Sequence, residues 1–166
     1  MKRLFSKQLP KQPLLALLVF VTRLGALPAN VSPLGSFGFF GPNILLYCAV
    51  IIGFDLLVGG LYQGMAWTYL GFVVYPVLGY LAKNRLRRQL LLLPLASFAF
   101  FLLSNFGVFL AWYEHSLQGF LACYALALPF YSRTLLGDLL FGYGFLSLRH
   151  YWPLLRGKLA FWAVLR

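Results

Sequence analysis

Residues 30–42, which read NVSPLGSFGFFGP, fit no ordinary element of secondary structure. The stretch contains three glycines, two prolines and three phenylalanines, and it carries no charged residue. It is too apolar for a typical loop in water. It is also too short and too broken for an ordinary transmembrane helix, which needs about 20 residues. The path of this stretch between its neighbours therefore decides the fold.

The composition of the chain is that of an integral membrane protein. Of its 166 residues, 61% are hydrophobic and 10% are charged, and the mean hydropathy is +0.81. Soluble domains carry about 25% charged residues, so this chain has too few to cover a soluble globule. We expect an all-α integral membrane protein, with one helical membrane domain at residues 12–149. A basic N-terminus (1–11) precedes this domain and a basic amphipathic tail (150–166) follows it.

The basic residues indicate how the chain is oriented. The formal net charge is +11, and most of it falls in three clusters: the N-terminus, residues 83–88 and the tail. Basic residues that flank apolar runs mark the cytoplasmic side of membrane helices. This distribution favours a lipid bilayer over a nucleic acid as the partner. It predicts a multi-pass membrane protein with both termini in the cytoplasm.

The apolar segments give a count of the membrane crossings. They lie at residues 12–28, 42–58, 65–82, 90–111, 117–131 and 134–148. If the three basic clusters share one face, the number of crossings between successive clusters is even. Residues 31–41 are therefore predicted to cross, or nearly cross, as a short broken second helix. Residues 117–131 are predicted to be a re-entrant or capping outer segment before the last helix, because they begin at Gln118-Gly119 and reach Pro129. The result is about six transmembrane helices.

Most polar residues of the predicted spans fall near the outer face in this topology, together with all three acidic residues. An ionisable group within a span is costly and usually pairs with another group or has a function. An outward-facing pocket accounts for this one-sided distribution. The candidate substrate-binding residues are Asn30, Ser32, Asp55, Tyr69, Asn105, Trp112, Arg133 and Asp138.

The sequence argues against several kinds of chemistry. An intramembrane aspartyl protease needs two cooperating carboxylates, and Gly137-Asp138 partly matches a GxGD motif. Leu135 stands at the first glycine of that motif, however, and Phe54 rather than tyrosine precedes Asp55. The two cysteines lack metal-ligand spacing, and the chain has no phosphate-binding loop. We expect no catalytic residue, no metal and no cofactor.

The order of these elements resembles a bacterial family of small, uncharacterised membrane proteins over residues 20–145. In the first half, the residues that carry the resemblance are Pro28, Asn30, Ser32-Pro33-Leu34-Gly35, Phe39-Phe40-Gly41, Asp55-Leu56-Leu57, Gly59 and Tyr69. In the second half they are Ser104-Asn105-Phe106-Gly107-Val108, Trp112, Gly119, Cys123-Tyr124, Pro129-Phe130 and Thr134-Leu135-Leu136-Gly137-Asp138. That family in turn resembles the substrate-binding S components of energy-coupling-factor (ECF) transporters.

The resemblance implies a six-helix protein of the bacterial cytoplasmic (inner) membrane that binds a vitamin-like nutrient from outside without covalent chemistry. It also implies a transmembrane coupling protein and ATPase subunits as partners. The alternative is a structural or assembly protein whose polar residues form an internal network. An intramembrane aspartyl protease is a distant third.

Overall fold

The computed structural model describes residues 11–41, 43–83 and 85–164, and these residues form an all-helical protein. The six α-helices are α1 (Lys11–Val21), α2 (Leu34–Phe40), α3 (Ile44–Phe54), α4 (Met65–Ala82), α5 (Leu86–Trp112) and α6 (Leu117–Val164). Two π-type turns, Thr22–Ala26 and Asp55–Gly59, extend α1 and α3. Most of the predicted N-terminal region (1–11) and Pro42 lie outside the described residues. Most side chains of the predicted amphipathic tail (150–166) also lie outside them.

Helices α4, α5 and α6 are long and apolar enough to cross a membrane. The qualifying stretches are Met65–Ala82, Leu86–Trp112 and Leu117–Trp152, and two further apolar helices, Gln12–Gly25 and Ile44–Gly59, are shorter. Pro76 and Pro94 lie inside α4 and α5 without ending them. Proline is tolerated in this way in membrane helices because neighbouring groups satisfy the freed backbone. The described residues thus agree with the predicted all-helical membrane protein in secondary structure and in the presence of helices that could span a membrane.

Helix α5 packs antiparallel to both α4 and α6. Gly64 approaches Gly107 at one end of the α4–α5 pair, and Gly71 packs on Phe100 nearer its middle. Along the α5–α6 pair, the rings of Phe109 and Phe120 are 5.5 Å apart, and far along both helices the Tyr143 hydroxyl donates to the Leu90 carbonyl at 2.7 Å. The α4–α5 turn therefore lies at one end of the bundle, which we call the basic end because Lys83 and Arg85 lie there.

The first and third helices run in the same direction. Phe20 packs on Phe54 with ring centroids 6.3 Å apart, and Arg23 lies beside Asp55 with Nη2 4.0 Å from Oδ1. The ends of α1 and α3 thus meet at the same end of the bundle, away from the basic end. Because two successive long elements are parallel, the chain between them must run back along the bundle.

Helix α2 lies on this return path, within the stretch NVSPLGSFGFFGP. The Ser32 hydroxyl accepts a hydrogen bond from the Leu34 amide at 3.1 Å, which helps to start the helix. The Ser36 hydroxyl then donates to the Asp138 carbonyl at 2.9 Å, and one to two turns later Phe40 meets Phe145 at 5.1 Å. Helix α2 is therefore parallel to α6 and antiparallel to α1 and α3, so the six helices alternate in direction. A short helix is present where the second helix was predicted, but its seven residues cover only about 10 Å. Among the described residues three helices are long enough to cross a membrane, so the predicted crossing by residues 31–41 and the count of about six spans are not shown.

The predicted re-entrant segment is wrong. Residues 117–131 and 134–148 belong to one continuous helix, α6, which begins where the Ser116 hydroxyl accepts from the Gly119 amide at 3.0 Å. Gln118-Gly119 lie in the first turn of this helix, and Pro129 lies within it. The hydroxyls of Ser132 and Thr134 donate to the carbonyls of Pro129 and Phe130 within the same helix. Two antiparallel helices then join residues 83–88 to the tail, which satisfies the even count without a re-entrant segment.

Candidate functional site

A cavity of about 470 Å³ opens between the helices in the half of the bundle away from the basic end. The chain from Thr22 to Gly35 forms one side of it, and α3, α4, α5 and α6 contribute the rest. Its polar side chains include Arg23, Asn30, Ser32, Tyr75, Thr134 and Asp138, and its aromatic walls include Phe54, Phe72 and Phe100. The cavity exists because α2 is short: the irregular chain before it, where Asn30 has a positive φ of 66°, fills less space than a full helix.

Asp138 lies at the deep end of this cavity and is only 1% exposed. The Tyr75 hydroxyl on α4 donates to its Oδ2 at 2.5 Å. The Ser97 hydroxyl and the backbone amide of Ser36 lie beside the carboxyl group. All of these neighbours are neutral, so within the described residues the carboxyl has polar contacts but no cation beside it. Gly35 packs directly on the carboxyl and on the Tyr75 ring, where a Cβ would collide with both.

A second polar cluster, formed by Arg23, Asp55 and Tyr69, lies where the cavity approaches the C-terminal ends of α1 and α3. The guanidinium of Arg23 is 4.0 Å from Asp55 Oδ1, and its Cζ lies 3.9 Å from the centre of the Phe54 ring. Asp55 Oδ2 accepts a hydrogen bond of 2.9 Å from the Tyr69 hydroxyl. The Nη1 atom of Arg23 is buried and has no hydrogen-bond partner among the described residues. Arg23 lines the cavity, whereas Asp55 and Tyr69 lie behind it.

A smaller cavity of about 220 Å³ adjoins the first between α5 and α6. Asn30, Phe100 and Thr134 line both cavities. Asn105 lines only the smaller one, and its side-chain amide donates to the Phe101 carbonyl at 2.8 Å. The shared residues make the two spaces neighbouring parts of one polar region.

The structure brings together most, but not all, of the residues predicted from the sequence. Asn30, Ser32 and Asp138 line the larger cavity, Asn105 lines the smaller, and Asp55 with Tyr69 supports Arg23 from behind. Trp112 is 69% exposed at the end of α5, and Arg133 is exposed on α6. Neither of these two residues lines either cavity.

Sequence reasoning left Arg23 and Tyr75 out of the candidate set. Arg23 lies near the predicted outer end of the first span, and its position in the sequence does not show that it lines a pocket. Tyr75 had a usable signal, because it lies in the middle of an apolar span rather than at an end, where tyrosine anchors helices at the membrane interface. The aromatic walls carried no signal, since phenylalanine is common throughout this chain.

The two intramembrane carboxyl groups occupy separate places. Asp55 bonds to Tyr69 and Asp138 to Tyr75, and these tyrosines are six residues apart on one helix. Six residues advance an α-helix by about 9 Å. Two carboxyls that share a proton must lie much closer together. No group of three or more His, Cys, Asp or Glu side chains that could hold a metal ion occurs among the described residues.

Comparison with known proteins identifies a family but no characterised relative. The model of a family of unknown function, DUF6580, matches residues 6–152. That match covers well over half of the chain, so the chain belongs to this family. No curated protein and no solved structure matches the chain.

Proposed function

We propose that this member of the DUF6580 family binds a small nutrient in the larger cavity and takes part in its uptake across a bacterial cytoplasmic membrane. The observation that carries the proposal is the Asp138 carboxyl, which lies at the deep end of a cavity with only neutral polar neighbours. A buried carboxyl is costly unless it is compensated, and in a membrane span it usually serves a function. A ligand in the cavity would provide the compensation.

The arrangement of the helices supports a substrate-binding role of the ECF S-component type. Six helices of alternating direction, with a short second helix, agree with the architecture that the sequence resemblance implies. The cavity lies in the half of the bundle away from the basic end. Because basic residues mark the cytoplasmic side, that half would face outward and would receive a nutrient from outside. Release inside would then involve a coupling protein and ATPase subunits, without covalent chemistry by this chain.

A structural role is the second candidate, and the Arg23–Asp55–Tyr69 group favours it. Asp55 lies behind the cavity wall and already has both a cationic and a hydrogen-bonding partner. Such a group would fix the ends of α1, α3 and α4 relative to one another. We therefore assign Asp55 and Tyr69 to support of Arg23, and Asp138 to the ligand.

The proposal is tested with protein purified in lipid nanodiscs and a panel of radiolabelled vitamins and nucleobases. We expect one compound to bind at a single saturable site, and Asp138→Asn to weaken its binding at least tenfold. Glu114→Gln removes an exposed acidic residue outside both cavities and serves as the control with unchanged affinity. Failure of every compound to bind, with no coupling protein or ATPase co-purifying from the native membrane, would contradict the proposal.

A further inference from the structure

The charges around the larger cavity are unevenly balanced. Arg23 is paired with Asp55, so this group has little net charge. Asp138 has no such partner, because the polar groups beside it are a tyrosine, a serine and a backbone amide. When Asp138 is ionised, the cavity therefore contains one uncompensated negative charge at its deep end. In surroundings of low dielectric constant, a positive charge nearby stabilises such a carboxylate strongly.

The Asp138 carboxylate has hydrogen-bonding capacity beyond its contact with Tyr75. A carboxylate has two oxygens and about four lone-pair sites, and the Tyr75 hydroxyl, the Ser97 hydroxyl and the Ser36 amide can occupy three of them. At least one site is left for a donor on a ligand. Gly35 lies directly against Oδ1, where even a Cβ would collide with this oxygen. A ligand N–H can therefore reach the carboxylate only from the side that lines the cavity.

Aromatic rings from α4 and α5 form part of the cavity wall. The rings of Phe72 and Phe100 have centroids 4.7 Å apart and are tilted by 34°, and the Tyr75 ring lies 6.0 Å from Phe100. The faces of such rings attract cations, and the attraction strengthens when water is excluded. The aromatic wall and the carboxylate therefore favour the same kind of ligand.

We propose that the larger cavity selects a flat organic cation, an amidinium or a protonated nitrogen heterocycle, whose N–H groups donate to Asp138. The other end of this ligand carries an acceptor oxygen or nitrogen for Nη1 of Arg23, which is buried without a partner. The inference rests on the proposed function and specifies the substrate class of the same site. It excludes simple carboxylates, because an anion would be repelled by Asp138.

Three probes of the same shape and different charge test this selectivity. Benzamidine is a flat cation with paired N–H donors, benzamide is neutral, and benzoate is an anion. Their binding to the protein in nanodiscs is measured by saturation-transfer NMR and competition. Because hydrogen bonds between charged groups contribute more than neutral ones, we expect benzamidine to bind about tenfold more tightly than benzamide. Benzoate should bind more weakly than either.

Variants locate the source of the preference. Asp138→Asn should equalise benzamidine and benzamide, whereas Glu114→Gln, which removes an exposed carboxylate elsewhere, should leave the tenfold ratio unchanged. If Asp138→Asn does not fold, Phe100→Leu provides a second test: it removes an aromatic ring from the cavity wall, so the ratio of benzamidine to benzamide affinity should fall. The inference would be overturned if benzoate bound most tightly or if all three probes bound equally. It would also be overturned if benzamidine did not bind at millimolar concentrations.

Failure of this inference is distinguishable from failure of the proposed function. If the radiolabelled panel yields a saturable ligand that is neutral or anionic and insensitive to Asp138→Asn, nutrient binding stands and the cation selectivity is wrong. If benzamidine binds through Asp138 but no nutrient binds and no coupling protein co-purifies, the cation site stands and the uptake function is wrong.

Discussion

Tyr75 on α4 donates a hydrogen bond of 2.5 Å to Asp138 on α6, and so links the middles of two helices through residues that are 63 positions apart in the chain. Both side chains are almost completely buried, with exposures of 1% each. The pair joins α4 to α6 and forms the deep end of the larger cavity. It therefore connects the packing of the bundle to the chemistry of the site.

Removing the Tyr75 hydroxyl tests the stabilising part of this link. Tyr75→Phe keeps the ring but deletes the donor, and a hydrogen bond to a charged group contributes about 1.5–3 kcal/mol. We expect the free energy of unfolding in detergent to fall by about that amount. Tyr80→Phe is the control, because Tyr80 is 72% exposed on the same helix, and it should have little effect. Equal stability of both variants would show that the Tyr75 bond does not stabilise the bundle.

The close approach of α2 to α6 at Gly35 gives a second prediction. Gly35→Ala places a Cβ against the Asp138 carboxyl and the Tyr75 ring. Overpacking of this kind costs about 1–3 kcal/mol, so we expect a lower melting temperature and a smaller or closed cavity.

Gly144→Ala is the matched control on α6. A Cβ at Gly144 meets nothing within 4 Å, and alanine is favoured over glycine in helices by up to about 1 kcal/mol. This variant should be neutral or slightly more stable. A Gly35→Ala protein as stable as Gly144→Ala would show that α2 does not lie against Asp138 and Tyr75.

The Arg23–Asp55 pair is expected to act as a unit. Arg23→Gln and Asp55→Asn each leave the other group without its partner, whereas the double variant removes both charges. We expect a coupling free energy of about 1–3 kcal/mol in a double-mutant cycle, measured by chemical or thermal unfolding in nanodiscs. Additive losses would mean that the two side chains do not interact, and that the ends of α1 and α3 are held together in another way.

The continuity of α6 is testable by a distance measurement. Spin labels at Leu121 and Leu148, both exposed on the helix surface, are separated by 27 residues, or about 40 Å along a continuous helix. Pulsed electron paramagnetic resonance, in a variant without Cys48 and Cys123, should give a narrow distribution of label-to-label distances near this value. A re-entrant segment before a separate last helix would instead bring the two labels much closer together.

The helical membrane fold and the short second helix were predictable because they depend on hydropathy and on the positions of the basic residues. Hydropathy marks helices such as α5, and the parity of the basic clusters required an additional return path near residues 31–41. The same reasoning failed for α6, since Pro129 and Gly119 were interpreted as breaks. Such residues are tolerated inside membrane helices because neighbouring helices, side-chain hydroxyls and small backbone adjustments can satisfy the backbone groups that they free.

The candidate site was only partly predictable for a similar reason. Intramembrane polar residues such as Asp138 and Asn30 are rare enough to stand out in an apolar sequence. Which of them share a cavity depends on how each helix is rotated and on contacts between helices far apart in the chain. Arg133 was therefore predicted and Arg23 was not, although Arg133 is exposed on α6 while Arg23 lines the cavity.

The central claim is that the larger cavity holds a ligand that contacts Asp138. A density map of the protein in nanodiscs, saturated with the tightest-binding compound of the radiolabelled panel, tests this claim most directly. The account predicts density between α2, α4 and α6, with a ligand N–H within hydrogen-bond distance of the Asp138 carboxyl. An empty cavity at saturation, or ligand density elsewhere on the protein, would contradict it.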